Sequence, residues 1–201
     1  MGSNISIGLI YERLTKERIE KELDNIVKYL LAYDTRMKKL KVSKDIDGEE
    51  WIESDSLNTF QKDSILTMLA DNYYGQLEVS GNLLDCNSLV ITIRVEKEAE
   101  EDYFGFLLDI SEEELIKTNS IDEINKITER IIDFMIDIHS YSGYDYAFCE
   151  NEAEIQYSPK EFRNFEEGIY SVSIIPIKSN DPMGFNIIKS SWNIDGLTSR
   201  N

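Results

Sequence analysis

The side chains best suited to bond-making chemistry are few in this sequence, and they are scattered. His139 is the only histidine, and Cys86 and Cys149 are the only cysteines. No Gly-x-Ser-x-Gly, glycine-rich phosphate loop or His-Glu-x-x-His pattern accompanies them, so acyl transfer, phosphoryl transfer and zinc hydrolysis each lack their usual starting point. His139 falls at the end of an amphipathic run, where a cation favours the helix C-terminal dipole, and a capping or surface role explains it. The cysteines lie far apart in apolar company without Cys-x-x-Cys spacing, which predicts two reduced, partly buried thiols and no metal site.

Carboxylates are the abundant chemical group. Three clusters stand out: Glu96, Glu98, Glu100, Glu101 and Asp102 between two strand-like runs; Glu112, Glu113 and Glu114 after Ser111; and Glu150, Glu152 and Glu154 after another strand-like run. Such groups can do acid/base work, hold a divalent ion or meet the cations of a partner protein. Ser111 with Glu114 reads as a helix cap, and the first cluster reads as a solvated hairpin loop. The third cluster differs, because Tyr144, Asp145, Tyr146 and Phe148 run directly into it and place rigid aromatic area beside closely spaced acids at a strand end. The expected partner-binding residues are Asp102, Glu113, Tyr144, Asp145, Tyr146, Glu150, Glu152 and Glu154. No residue is assigned a catalytic or metal-binding role, and no cofactor is expected. A calcium loop of Asp-x-Asp-x-Asp-Gly form with a closing Glu does not occur.

The elements that must hold these residues follow from periodicity. Ile5, Ile7, Leu9 and Tyr11 alternate as a half-buried strand, and Ile19, Leu23, Ile26, Val27 and Leu30 then repeat at helical spacing behind Thr15 as N-cap. Met37 to Val42 reads as a short strand, Ser43 to Asp55 as an acidic loop, and Leu57 to Tyr73, with Phe60 among its apolar positions, as a second helix closing near Gly75. Leu77 and Val79, then Leu89 to Val95, then Phe104 to Ile110 alternate in turn, with a turn around Gly81 and Asn82, and predict an antiparallel meander. Ser120 and Glu123 head a helix running to His139. Tyr144 to Cys149 is a further strand, Ser158-Pro159-Lys160-Glu161 a capping box opening a short helix to about Phe165, and Tyr170 to Ile174 a last strand that Pro176 ends or places at an edge. Residues 177–201, with Trp192, show no usable period. The reading is one α+β domain over residues 1–201, with 177–201 less regular: a mostly antiparallel sheet covered by helices on one face.

With 201 residues, 41% hydrophobic and 30% charged, the chain has a globular composition and length enough for a full core. Nothing in it resembles a secretory leader or a membrane span, which predicts a cytoplasmic protein. The net charge of −18 is unevenly spread. Residues 1–56 carry 10 basic and 12 acidic side chains, whereas residues 96–167 carry 6 basic and 21 acidic ones. That field repels phosphates and anionic lipid and attracts basic proteins, so direct nucleic-acid or membrane binding is not expected.

At Tyr103-Phe104-Gly105-Phe106-Leu107-Leu108-Asp109, taken with Tyr144 to Ile155, the chain resembles small bacterial immunity proteins of polymorphic-toxin systems, and the likeness extends over roughly residues 5 to 175. The resemblance implies a cytoplasmic, acidic α+β protein that is encoded beside a secreted toxin and neutralises it by direct binding. The partner is then a cognate toxin domain, basic and in many such systems a nuclease. Two other readings fit the residues: a structural or adaptor protein of phage origin, and a two-carboxylate hydrolase acting on a glycoside.

Overall fold

The computed structural model describes residues 3–55, 57, 61–118, 120–165, 168–177 and 184–190. Strand β1 (Asn4–Glu12) begins the chain, and its alternation puts Ile5, Ile7, Leu9 and Tyr11 on one buried face. Helix α1 (Lys16–Leu31) follows, its first turn closed by Thr15 Oγ1, which accepts the Arg18 N–H. Next come β2 (Arg36–Ser43), β3 (Trp51–Ser54), α2 (Lys62–Asp71), β4 (Tyr74–Leu83), β5 (Cys86–Glu98) and β6 (Tyr103–Ser111). The chain continues through α3 (Glu112–Leu115), α4 (Ile121–His139), β7 (Tyr146–Asn151), α5 (Pro159–Phe162), β8 (Val172–Ile177) and β9 (Gly184–Lys189).

Among the described residues, nine strands join one antiparallel sheet in the order β3-β2-β4-β5-β6-β1-β7-β8-β9. The expected meander is its centre, β4 to β6, and the fold is α+β, with the short α5 on one face and helices α1 to α4 on the other. The apolar stripes of α1, α2 and α4 cover that second face: Leu23, Ile26 and Leu30, Ile65 and Leu69, and Ile131, Met135 and Ile138 join the inward residues of the strands in one core.

The opposite face is treated differently in its two halves. Over β6, β1 and β7 it carries Leu107, Ile10, Tyr146 and Phe148, and the excursion from Glu152 to Tyr170 folds back over them as a second, smaller core. Within that excursion, Ser158 Oγ accepts the Glu161 N–H and the Glu161 carboxylate accepts the Ser158 N–H, the expected capping box with Pro159 in the first turn. Over β2, β4 and β5 no element covers this face among the described residues, and besides Val90 its outward positions include the polar Lys39 and Lys41, Gln76 and Glu78, Thr92, Arg94 and Glu96.

Several local expectations change. The stretch read as an acidic loop contains β3, which pairs with β2 from Leu40↔Ser54 to Ser43↔Trp51. The second helix ends at Asp71, and Tyr73 and Gly75 belong to its exit and to β4; the expected position Phe60 lies outside the described residues. Ser111 makes no side-chain cap to α3; instead Glu114 Oε2 accepts the Val90 N–H at 3.1 Å, beyond the last β5–β6 register pair. Pro176 does not end β8, which pairs with β9 at Phe185 and on to Ile177, but it lies past the β7 ladder, which stops at Ile174, so the strand is unpaired on that side, as an edge position would be. Trp192 lies outside the described residues.

Candidate interaction surface

The uncovered half-face is built by parity. In β5, Leu89, Ile91, Ile93 and Val95 enter the main core, so Val90, Thr92, Arg94, Glu96 and Glu98 must face the other way. Neighbouring strands add Gln76 beside Arg94 and Glu78 beside Thr92, and the same row continues through Asp109 and Ser6 to Glu150. Arg94 organises the floor: Nε donates to Asp109 at 2.5 Å and Nη1 to Glu96 at 3.0 Å, while Ser6 Oγ donates to the other Asp109 oxygen at 2.6 Å. Burial is the largest single influence on Arg94 and would lower its pKa, but the Asp109 hydrogen bond together with the charges of Asp109, Glu96 and Glu154 outweighs it, and the guanidinium is held above its ordinary value. Glu96 moves up from the usual carboxylate range because burial penalises its charge more than Arg94 favours it.

Two open cavities lie on this face. One, of about 620 Å³, is lined by Thr92, Arg94, Asp109, Glu114, Glu152 and Glu154 among others. The second, of about 310 Å³, runs from Trp51 and Tyr74 past Arg94 to Glu96, Glu98 and Glu154. The wall between this floor and the second core is the chain leaving β7, where Glu152 takes a positive φ of 47° and its N–H donates to the Asn4 carbonyl. Ala153 and Ile155 turn into the second core while Glu152 and Glu154 remain exposed.

The residues singled out from sequence divide into four places. Glu152 and Glu154 stand on the wall of the open face. Tyr144, Tyr146 and Glu150 are buried, at 1%, 1% and 9% exposure. Tyr144 Oη donates to the Met135 carbonyl at 2.9 Å, and Tyr146 Oη to the Tyr157 carbonyl at 2.6 Å with its ring stacked on Phe162. Burial pushes both phenols up, so they stay neutral. Glu150 accepts the Ser171 N–H and hydroxyl at 3.0 and 2.8 Å, tying β7 to the start of β8.

Asp102 and Asp145 lie at the other end of the strands, around the β1–α1 turn. Asp102 accepts the Leu14 N–H, and Asp145 accepts the Glu12 N–H with Arg18 at 3.8 Å and Arg163 at 3.5 Å. Glu113 is exposed on α3, where its carbonyl accepts from Lys117. Sequence reasoning passed over Arg94, Asp109 and Trp51 as site residues. The signal for the first was present, since polar residues alternate with the apolar ones throughout β5.

Cys86 and Cys149 are both free thiols, with Cys149 fully buried and its thiol pushed well up by desolvation. His139 packs edge-on against Tyr144 and Phe185. Among the described residues, no group of three or more His, Cys, Asp or Glu side chains could hold a metal ion. Among those residues, too, no helix is long and apolar enough to cross a membrane.

A sheet packed by α1 to α4 on one face, with a polar floor and carboxylate walls left open beside the α5 excursion on the other, presents a surface on which another molecule can dock. A family model described as Immunity protein 64 matches residues 1–200, and the chain belongs to that family. It is an immunity protein, a chain that neutralises a toxin. No curated protein matches it. Among solved structures, it is similar at 16% identity to the complex of the toxic C-terminal tip of CdiA from Pseudomonas aeruginosa with its immune protein. That match covers 76% of this chain and 88% of the other, with a TM-score of 0.43. It is also similar at 10% identity to a T6SS protein of the same organism, over 75% of this chain, with a TM-score of 0.36. The match spans only 41% of that protein.

Proposed function

We propose that this chain neutralises its toxin by direct binding in the cytoplasm, without catalysis, and that the uncovered half-face over β2, β4 and β5 is the contact surface. The observation that supports this most is the open floor of β4 and β5 flanked by unpaired acids: among the described residues, Glu98, Glu152 and Glu154 have no cation within ion-pair distance. The toxin domain is then basic where it docks, and a nuclease active site, itself basic, suits that description. Its approach is accelerated by the negative field, and its seat on the face excludes substrate.

Of the eight expected contact residues, Glu152 and Glu154 are the ones on this floor's wall. Asp102, Asp145 and Glu113 contribute charge from the two ends of the strands, and Tyr144, Tyr146 and Glu150 hold the scaffold. The test is association kinetics with the purified toxin domain encoded beside this chain. Changing Glu98, Glu152 and Glu154 together to Gln should lower the association rate at least tenfold at low salt and flatten its salt dependence. An unchanged rate at every salt concentration would place the contact elsewhere.

A further inference from the structure

The exposed large apolar side chains of the described surface are unevenly placed. Ile46 (60% exposed), Trp51 (36%), Tyr73 (49%) and Tyr74 (38%) gather where the β2–β3 loop meets the start of β4. They form one connected patch. Trp51 stacks on Tyr74 with centroids 6.1 Å apart, Tyr73 packs edge-on to Tyr74 at 4.8 Å, and Tyr74 Oη donates to the Ile46 carbonyl. The loop beneath is cross-tied by hydrogen bonds of its own. Asp45 accepts Ser43 Oγ and the N–H groups of Glu49 and Glu50, and Trp51 Nε1 donates to the Gly48 carbonyl. Rigid aromatic rings with polar tips, held in place before a partner arrives, are the groups that anchor protein interfaces.

The patch is continuous with the acidic floor. The cavity of about 310 Å³ has Trp51 and Tyr74 at one end and Glu96, Glu98 and Glu154 at the other. Among the described residues, the cation lining it, Arg94, is already held by Asp109 and Glu96. A slot with aromatic walls leading to free carboxylates fits a side chain with an apolar stem and a cationic head. The same chemistry is already in use next door, where Lys41 Nζ lies 4.3 Å over the Trp51 ring.

We infer that this slot is the anchor point of the interface, and that it receives a lysine or arginine side chain of the toxin, stem against Trp51 and Tyr74 and head among Glu98 and Glu154. The inference rests on the open face being the contact surface and divides labour within it. The distributed acids set how fast the partners meet, and the aromatic slot sets how long they stay together. Glu96, held partly against ionisation by burial, gains a counter-charge when the slot is filled.

The experiment measures both rates for the complete chain with the adjacent toxin domain, using Trp51→Ala, Tyr73→Ala and the Glu98, Glu152, Glu154→Gln variant. Trp51→Ala should raise the dissociation rate at least tenfold and leave the association rate within about twofold. Tyr73→Ala removes a ring that borders the slot by packing edge-on to Tyr74 and makes no side-chain hydrogen bond among the described residues; it guards against a misfolded hairpin and should raise dissociation severalfold. Replacing each toxin lysine and arginine by alanine should uncover one whose loss is not additive with Trp51→Ala. If both aromatic variants dissociate at the wild-type rate while the acidic variant still associates slowly, the slot is not the anchor and the open face remains the contact surface. If the acidic variant also associates normally, the assignment of the face itself fails with it.

Discussion

At the scale of single residues, neighbours in sequence perform unlike tasks. Glu150, Glu152 and Glu154 share one parity and a spacing of two, yet Glu150 is a buried acceptor for the Ser171 N–H and hydroxyl while the other two point to solvent. Removing Glu150 orphans two buried donors, so Glu150→Ala should cost about 2–4 kcal/mol of folding stability, whereas Glu152→Ala and Glu154→Ala should stay within about 0.5 kcal/mol. Urea titration separates them; a Glu150→Ala loss no larger than the other two would remove its structural assignment. Lys97 offers a second residue-scale case. Its ammonium donates to the carbonyls of Leu69, Ala70 and Asn72 at the C-terminal end of α2, and burial holds its pKa down to about 8. The folded group therefore gives up its proton at a lower pH than the unfolded one. Between pH 8 and about 10 the unfolded chain binds the extra proton, and stability contributed by this site rises with pH. The gap in urea midpoint between wild type and Lys97→Met should accordingly widen in favour of wild type from pH 7.5 to 9.5; a narrowing gap would mean the ammonium is net stabilised where it lies.

At the scale of elements, what was legible in the sequence depended on whether one periodicity decided the matter. The meander, α1 and α4 each bury one face, so apolar residues mark them without help from the rest of the chain. β3 has all four residues exposed and β9 is half-exposed at best, so neither carries a burial pattern. The second core was hidden for the opposite reason. Tyr146 and Phe148 lie on the face of β7 away from α1, α2 and α4, and only the excursion carrying α5 folding over them turns that face inward. Sequence parity alone could group Tyr146, Phe148 and Glu150 together but could not say that they are covered. Gly81 shows the same limit. It reads as a turn residue, yet the turn is made by Leu84 and Asp85, both at positive φ, and Gly81 is inside β4. A Cβ at Gly81 would lie 2.5 Å from the Cα of Thr35, so the glycine serves a close approach of backbones. Gly81→Ala should cost about 1–3 kcal/mol by overpacking, read as a lower urea midpoint, and a neutral result would show that the segment before β2 yields freely.

At the scale of the whole molecule, one charge distribution acts with opposite signs on two measurable quantities. The chain carries −18 overall, and 21 of its 39 acids fall in residues 96–167, so the folded state compresses like charges that the unfolded chain can spread apart. Salt screens that repulsion, since the Debye length shrinks from about 30 Å at 0.01 M to about 8 Å at 0.15 M. The free protein should therefore melt several degrees higher at 0.15 M than at 0.01 M sodium chloride, a change of order 1 kcal/mol or more for a chain of this size. The same screening weakens attraction to a basic toxin, and association should slow over the range in which the free chain gains stability. Local ion pairs such as Lys62–Asp24 and Arg94–Asp109 oppose the first effect, because salt weakens them too. Their partial burial and the excess of 18 uncompensated charges decide the balance toward repulsion. A melting temperature that falls with added salt would reverse that balance, and the acidic surface would then be stitched internally and not held open for a partner.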